Sequence, residues 1–284
     1  MPLIELNGSR KSFIADLAER VFLDMGGHVP VEPTLIMDAE DITFTLADYG
    51  AAFDGLIEHK AGRFHIYCNI RDGQYSSQTR VRFTLGHELG HYFIDEHRNA
   101  LASGRSPAHP SFVDSHENSV VEAEANAFAS CLLMPKGKFA REVAGQKPDL
   151  QGLINLSSTF LVSAQATAIR FVQECRIPCA AIMFRNQSRP WAAISPSLRK
   201  LGYQQIADIN AAELPMDFAT AKARATTGSG LSEIFRNQST ASFWFKGVGP
   251  TASRNLIITE QAVRLGWYGV LTLLLFPSLG PAST

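Results

Sequence analysis

Two histidines four residues apart, His87 and His91 in the stretch FTLGHELGHYFIDEH (residues 83–97), constrain this chain more than any other feature. On a helix, a four-residue step leaves two side chains about 40° apart around the axis and about 6 Å apart along it, so both imidazoles can close on one ion. Glu88 is offset from the pair by about 60–100°, too far round to share that ion comfortably but well placed to reach a water beside it, as a general base must. Gly86 and Gly90 each weaken a helix by about 1 kcal/mol relative to Ala, a cost explained if another element packs closely against their face.

A catalytic zinc needs three protein ligands and one open position. Two regions offer the third. The spacing His87, His91, His97 resembles that of the metzincins, in which a glycine between the second and third histidines turns the chain back. Here that position is Ile94, whose β-branch resists a positive φ, and on a continuing helix His97 would lie about 15 Å along the axis from His87. The other region is VEAEANAFA, residues 121–129. Glu122 and Asn126 are one turn apart on the same face, so the carboxylate can ligate while the amide braces a ligand histidine. Glu124 is the rival carboxylate, pointing about 200° away and leaving Asn126 without that use. Val121, Ala125, Phe128 and Leu132 are expected to form the buried stripe of this helix. Glu122 is the preferred ligand, which gives a His-Glu site on two packed helices, the gluzincin plan.

The surrounding pattern predicts the elements that would carry such a site. A helix is expected over residues 9–25, from a Ser cap to a Gly pair, followed by a short helix and turns. Two alternating runs, Phe53–His59 and Arg63–Asn69, read as a β-hairpin joined through Lys-Ala-Gly. The histidine helix should run from about Ser77 to Asp95, a polar loop over 98–117 should follow, and Pro135 should end the second helix. Residues 136–174 read as helices, among which FLVSAQATAIRF has the turn and alanine-rich second helix of a helix-turn-helix. Arg170 is the only basic residue of that second helix, which argues against direct DNA binding. Strands are expected over 177–184, 190–195, 241–247, 255–264 and 268–276, with a helix near FATAKARATTG. The pentapeptide FRNQS occurs at 184–188 and again at 235–239, read as a reused polar turn or coincidence, and the tail SLGPAST as disordered.

The paired sequences RVRFTLGHELGHYFI and EAEANAFASCLLMP, with the helix, hairpin and FHIYCN strand before them, resemble the ImmA/IrrE family of zinc metallopeptidases from about residue 10 to 140. The resemblance implies His87, His91 and Glu122 as metal ligands and Glu88 as the catalytic glutamate. One departure from the commonest wording is Gly86, often alanine. The family further implies cleavage of helix-turn-helix repressors of the Cro/CI type, relieving repression of stress-response or mobile-element genes. In some relatives the C-terminal region resembles a GAF sensor, which would make a small-molecule ligand an expected partner there.

The expected class is therefore α+β: a zincin-like metallopeptidase domain with a small β-sheet over 1–140, a helix-turn-helix-like segment over 141–175, and a mixed α/β, GAF-like domain over 176–284. The expected chemistry is peptide hydrolysis, with zinc acidifying a water and Glu88 accepting its proton. Mn2+ and Fe2+ suit the same donors. Tyr67, Tyr75, His97 and His116 are all candidates for stabilising the oxyanion. A net charge of -1 excludes an overall positive field that would draw the chain to nucleic acid or an anionic membrane. The start of the chain lacks the pattern of a secretory signal, WYGVLTLLLF is too short to span a bilayer, and the four cysteines give no disulfide framework, so a cytoplasmic protein is expected. The alternative reading is a DNA- or ligand-binding regulator whose metal is structural or whose protease is silent.

Overall fold

The computed structural model describes residues 6–70, 78–105, 111–112, 119–185, 190–210, 213–246 and 253–277. The expected oxyanion candidates Tyr75 and His116 and the whole of the tail SLGPAST lie outside the described residues. The chain is α+β and forms two compact units: Met1–Phe139 with Ser158–Ser163, and Ala140–Ser157 with Ala164–Thr284.

The first unit opens with α1 (Gly8–Asp24), capped by the Asn7 side chain, which accepts from the Arg10 backbone N–H. Asn7 takes the capping role that Ser9 was expected to fill. Ile14, Ala18, Val21 and Phe22 recur at helical spacing and are buried. After α2 (Pro33–Ala39) comes an unexpected strand, β1 (Thr43–Ala47), in a region read as turns. Its partner is remote in sequence: it pairs in parallel with β3 (Arg63–Asn69), Phe44 opposite Ile66. The expected hairpin joins β2 (Gly55–Lys60) to β3 through Ala61 and Gly62, both at positive φ, the two-residue turn that matches strand twist. The resulting sheet has the order β1-β3-β2.

Helix α3 (Gln78–Phe93) packs against this sheet, against α2, and against α5 (Val120–Leu133). It does not run to Asp95 as one helix. The chain breaks at Ile94, whose extended backbone (φ -80°, ψ 110°) starts α4 (Asp95–Ala102), where a loop was expected from residue 98 onward. Beyond α5 come α6 (Lys136–Gly145), α7 (Leu150–Phe160) and α8 (Ala164–Glu174).

In the second unit, α8 packs on β4 (Cys179–Phe184) and β5 (Trp191–Ile194). After α9 (Pro196–Lys200) and β6 (Gln205–Ile206) comes α10 (Ala219–Ala225), within the stretch where a helix was expected. β7 (Phe235–Thr240) is made of FRNQST, so the second copy of the pentapeptide is an edge strand and not a turn. The strand expected over 241–247 is instead a turn of helix, α11 (Ala241–Trp244), followed by β8 (Phe245–Lys246), which pairs with β6. β9 (Ile257–Arg264) and β10 (Val270–Leu275) complete an antiparallel sheet of order β5-β4-β10-β9-β7. β4 is buried throughout and β10 nearly so, because both faces of the sheet centre are covered. Trp244, Tyr203, Phe184, Ile182, Ile258 and Leu274 belong to the core on one face. Among the described residues no single helix is long and apolar enough to cross a membrane.

Candidate metal centre

Ten residues of α3, including His87, Glu88 and His91, are buried, so this helix is enclosed on nearly every side. Two glycines make the enclosure feasible. A Cβ on Gly90 would stand 3.0 Å from Ala125 Cα and 3.1 Å from the Ala125 carbonyl oxygen, so α3 and α5 touch backbone to backbone there. At Gly86 the same atom would meet Ala129 Cβ at an ordinary 3.5 Å, which leaves room for the alanine that the family wording often has. A third glycine was not singled out from sequence. On β2, a Cβ at Gly55 would collide with Glu88 Oε1 and stand 2.6 Å from Thr84 Cγ2, so the strand lies directly on the glutamate.

The close helix contact carries the α5 carboxylate to the histidines. His87 Nε2 and His91 Nε2 are 3.1 Å apart, and the oxygens of Glu122 lie 3.1 Å from the first and 3.4 Å from the second. One ligand atom from each of these three buried residues falls within 4.8 Å of the other two. Asn126, one turn after Glu122, places its Oδ1 3.0 Å from His87 Nδ1. An amide oxygen only accepts, so His87 donates from Nδ1 and turns its Nε2 lone pair toward His91 and Glu122.

Electrostatics separates the two imidazoles. Burial drives the His91 pKa down to about 4, against the opposing pull of Glu122. For His87, burial also acts downward, but hydrogen bonding to Glu122 and the charges of Glu88 and Glu122 outweigh it and raise the pKa. Cys68 is near enough to feel Glu88, yet burial first and that charge second push its thiol up to about 12, so it stays protonated and is not a thiolate donor.

The two rivals for the third position pair with each other. The break at Ile94 brings His97 beside His91, ring centroids 5.2 Å apart, but His97 Nε2 meets Glu124 Oε2 at 3.1 Å. Arg10, a residue that no sequence pattern pointed to, locks this pair. It donates from Nε to Glu124 Oε1 at 2.8 Å and from Nη2 to Glu124 Oε2 at 2.7 Å, and from Nη1 to Glu96 Oε1 at 3.0 Å. Its hydrogen bond holds the Glu124 carboxyl below the usual range. Of the other oxyanion candidates within the described residues, Tyr67 donates its hydroxyl to Glu58 at 2.8 Å.

Val121 departs from its expected place. Ala125, Phe128 and Leu132 are fully buried, while Val121 is 38% exposed and its neighbour Val120 is 52% exposed. The buried face of α5 is set by Glu122 and Glu124 facing α3 and α1, which turns the first-turn valines outward.

Comparison with known proteins bears on this geometry at two levels. A Mycobacterium tuberculosis transcriptional regulator is similar in structure, with a TM-score of 0.57 and 14% sequence identity, over 95% of this chain and 91% of that one, a likeness of fold. No curated protein matches the chain. The family model Peptidase_M78, the IrrE N-terminal-like domain, matches residues 59–172, beginning and ending later than the stretch that the quoted motifs cover. Those residues, which hold both helices of the candidate centre, support an ImmA/IrrE family metallopeptidase domain within the chain.

Proposed function

We propose that the first unit is a zinc-dependent endopeptidase of zincin-like, gluzincin plan, and that it cleaves a regulatory protein of the Cro/CI helix-turn-helix class. The observation that carries this reading is the convergence of His87, His91 and Glu122, with Asn126 fixing the tautomer of one of them. Two imidazole nitrogens and a carboxylate converge on one buried point, and a divalent cation binds all three once the proton shared between them is released. The donor set suits zinc, and Mn2+ or Fe2+ by the same chemistry. The ligands would be His87, His91 and Glu122.

When bound, such a cation supplies Lewis acidity, polarising a peptide carbonyl and making a nearby water more acidic. The chain supplies the rest. Glu88, fully buried under Gly55, accepts the proton of the attacking water and returns it to the leaving amine. Asn126 keeps His87 in the tautomer whose Nε2 is a donor atom to the metal. Burial of all four groups strengthens these interactions over their value in water.

The test is incubation of the full chain with zinc and the helix-turn-helix repressor encoded beside its gene. Glu88→Gln is expected to slow cleavage by about 10²–10⁴-fold while zinc uptake is unchanged. Cleavage that persists in that variant refutes the assignment of the base.

A second reading has its own support. The similar M. tuberculosis structure is named a transcriptional regulator, and the second unit's sheet, in its own chain order 2-1-5-4-3, is compatible with a GAF-like sensor. On that reading the chain binds DNA or a small ligand and its metal is structural. Retarded migration of operator DNA without loss of repressor favours it.

A further inference from the structure

Beside His91 the first unit opens into a cleft of about 410 Å3, bounded by Ala100 and Leu101 of α4 and by Val120 and Val121 of α5, within the span of about 300–1,000 Å3 usual for small-ligand sites. We propose that this cleft is a specificity subsite that receives a bulky apolar side chain of the polypeptide substrate. The proposal rests on the metallopeptidase reading above and names the substrate class for the same centre.

Three observations carry it. The cleft shares His91 with the triad, so a polypeptide whose backbone reaches the histidines lays an adjacent side chain against these walls. The charged groups along the cleft are already engaged with one another. Arg10 donates to both Glu124 and Glu96, and His97 is bound to Glu124. Apart from His91 itself and the buried Nδ1 of His97, what remains for an incoming group is hydrocarbon, chiefly the two valines, exposed at 52% and 38% immediately before the proposed ligand Glu122. An apolar side chain seated there removes both its own surface and the valines' surface from water, and a charged one loses hydration without gaining a free partner.

The test uses the zinc-loaded full chain and amino-acid hydroxamates, whose hydroxamate anchors on the metal while the side chain varies, with affinity read by calorimetry. Leucine and phenylalanine hydroxamates are expected to bind about tenfold more tightly than glycine hydroxamate, with lysine and glutamate hydroxamates no better than glycine. In Val120→Ser/Val121→Ser that preference should vanish while zinc affinity holds. Val121→Trp, which fills the cleft from an exposed position, should weaken leucine hydroxamate selectively and keeps the test open if the double variant does not fold. Equal affinity for all the hydroxamates, or a preference untouched by both variants, overturns the subsite and leaves the metal reading standing. Failure of the wild-type chain to take up zinc overturns the metal reading itself, and the subsite with it.

Discussion

Each unit buries a glutamate completely, and the surroundings of the two could hardly differ more. Glu260 on β9 is held through one oxygen: its Oε1 accepts from the Thr220 backbone N–H at 2.7 Å and from the Thr220 hydroxyl at 2.6 Å, that hydroxyl lies 2.7 Å from the hydroxyl of Thr272, and Oε2 is buried without a hydrogen-bond partner among the described residues. Burial raises its pKa, with the Thr220 hydrogen bonds opposing. In the first unit Glu88 lies against Gly55, and its charge acts on His87, which converges with His91 and Glu122. Two donors from one threonine hold the first acid, whereas two imidazoles and a carboxylate converging on one point form a donor set that a divalent cation fits. Burial of an acid therefore points to function only when metal-donor side chains converge beside it.

The variants that test this contrast differ in size. Glu122→Ala should weaken zinc binding by more than the about 100-fold typical of losing a supporting residue, measured by competition with a chelator, with the second unit's unfolding unchanged. Retained zinc affinity would put the first unit's cluster in the same class as Glu260. Asn126→Ala, which leaves all three proposed ligands in place but frees the His87 ring, should cost about 10–100-fold in the same measurement.

The second unit should respond to pH instead of metal. Since the folded chain holds the Glu260 proton to higher pH than the unfolded chain does, this group's contribution to stability is present in acid and is lost as pH rises through its raised pKa. Glu260→Gln should flatten that dependence and shift stability at pH 8 by on the order of 1 kcal/mol relative to wild type, read from urea unfolding at pH 4 and pH 8. An unchanged pH profile would remove Glu260 from the contrast. An effect of similar size is expected at Gly86→Ala, where ordinary contact distances leave the gain in helix propensity, about 1 kcal/mol, to dominate thermal stability.

What could be read beforehand follows from how local each signal is. The four-residue histidine step, the Glu122–Asn126 face and the Ala-Gly hairpin are patterns within a few residues, and the structure holds the corresponding atoms close. β1 escaped notice because its partner, β3, is fixed by a parallel pairing 22 residues on, Thr43 opposite His65. β7 escaped because an edge strand exposing alternate residues tolerates the polar run FRNQST, which reads as a turn. The Arg10 clamp joins residues 114 apart and leaves no periodic trace. Val121 was misplaced because apolar spacing alone set the helix face, whereas the paired carboxylates Glu122 and Glu124 decide it.

The contact at Gly90 has a consequence for how such a centre can vary. With Ala125 backbone atoms 3.0–3.1 Å from where a methyl group would sit, the two helices are spaced by a single hydrogen atom, and Glu122 lies less than one turn from that point of contact. Any side chain at position 90 acts as a shim, prying the carboxylate away from the imidazoles without touching any of them, so the grip on an ion held there would be gauged by a residue that has no donor atom of its own.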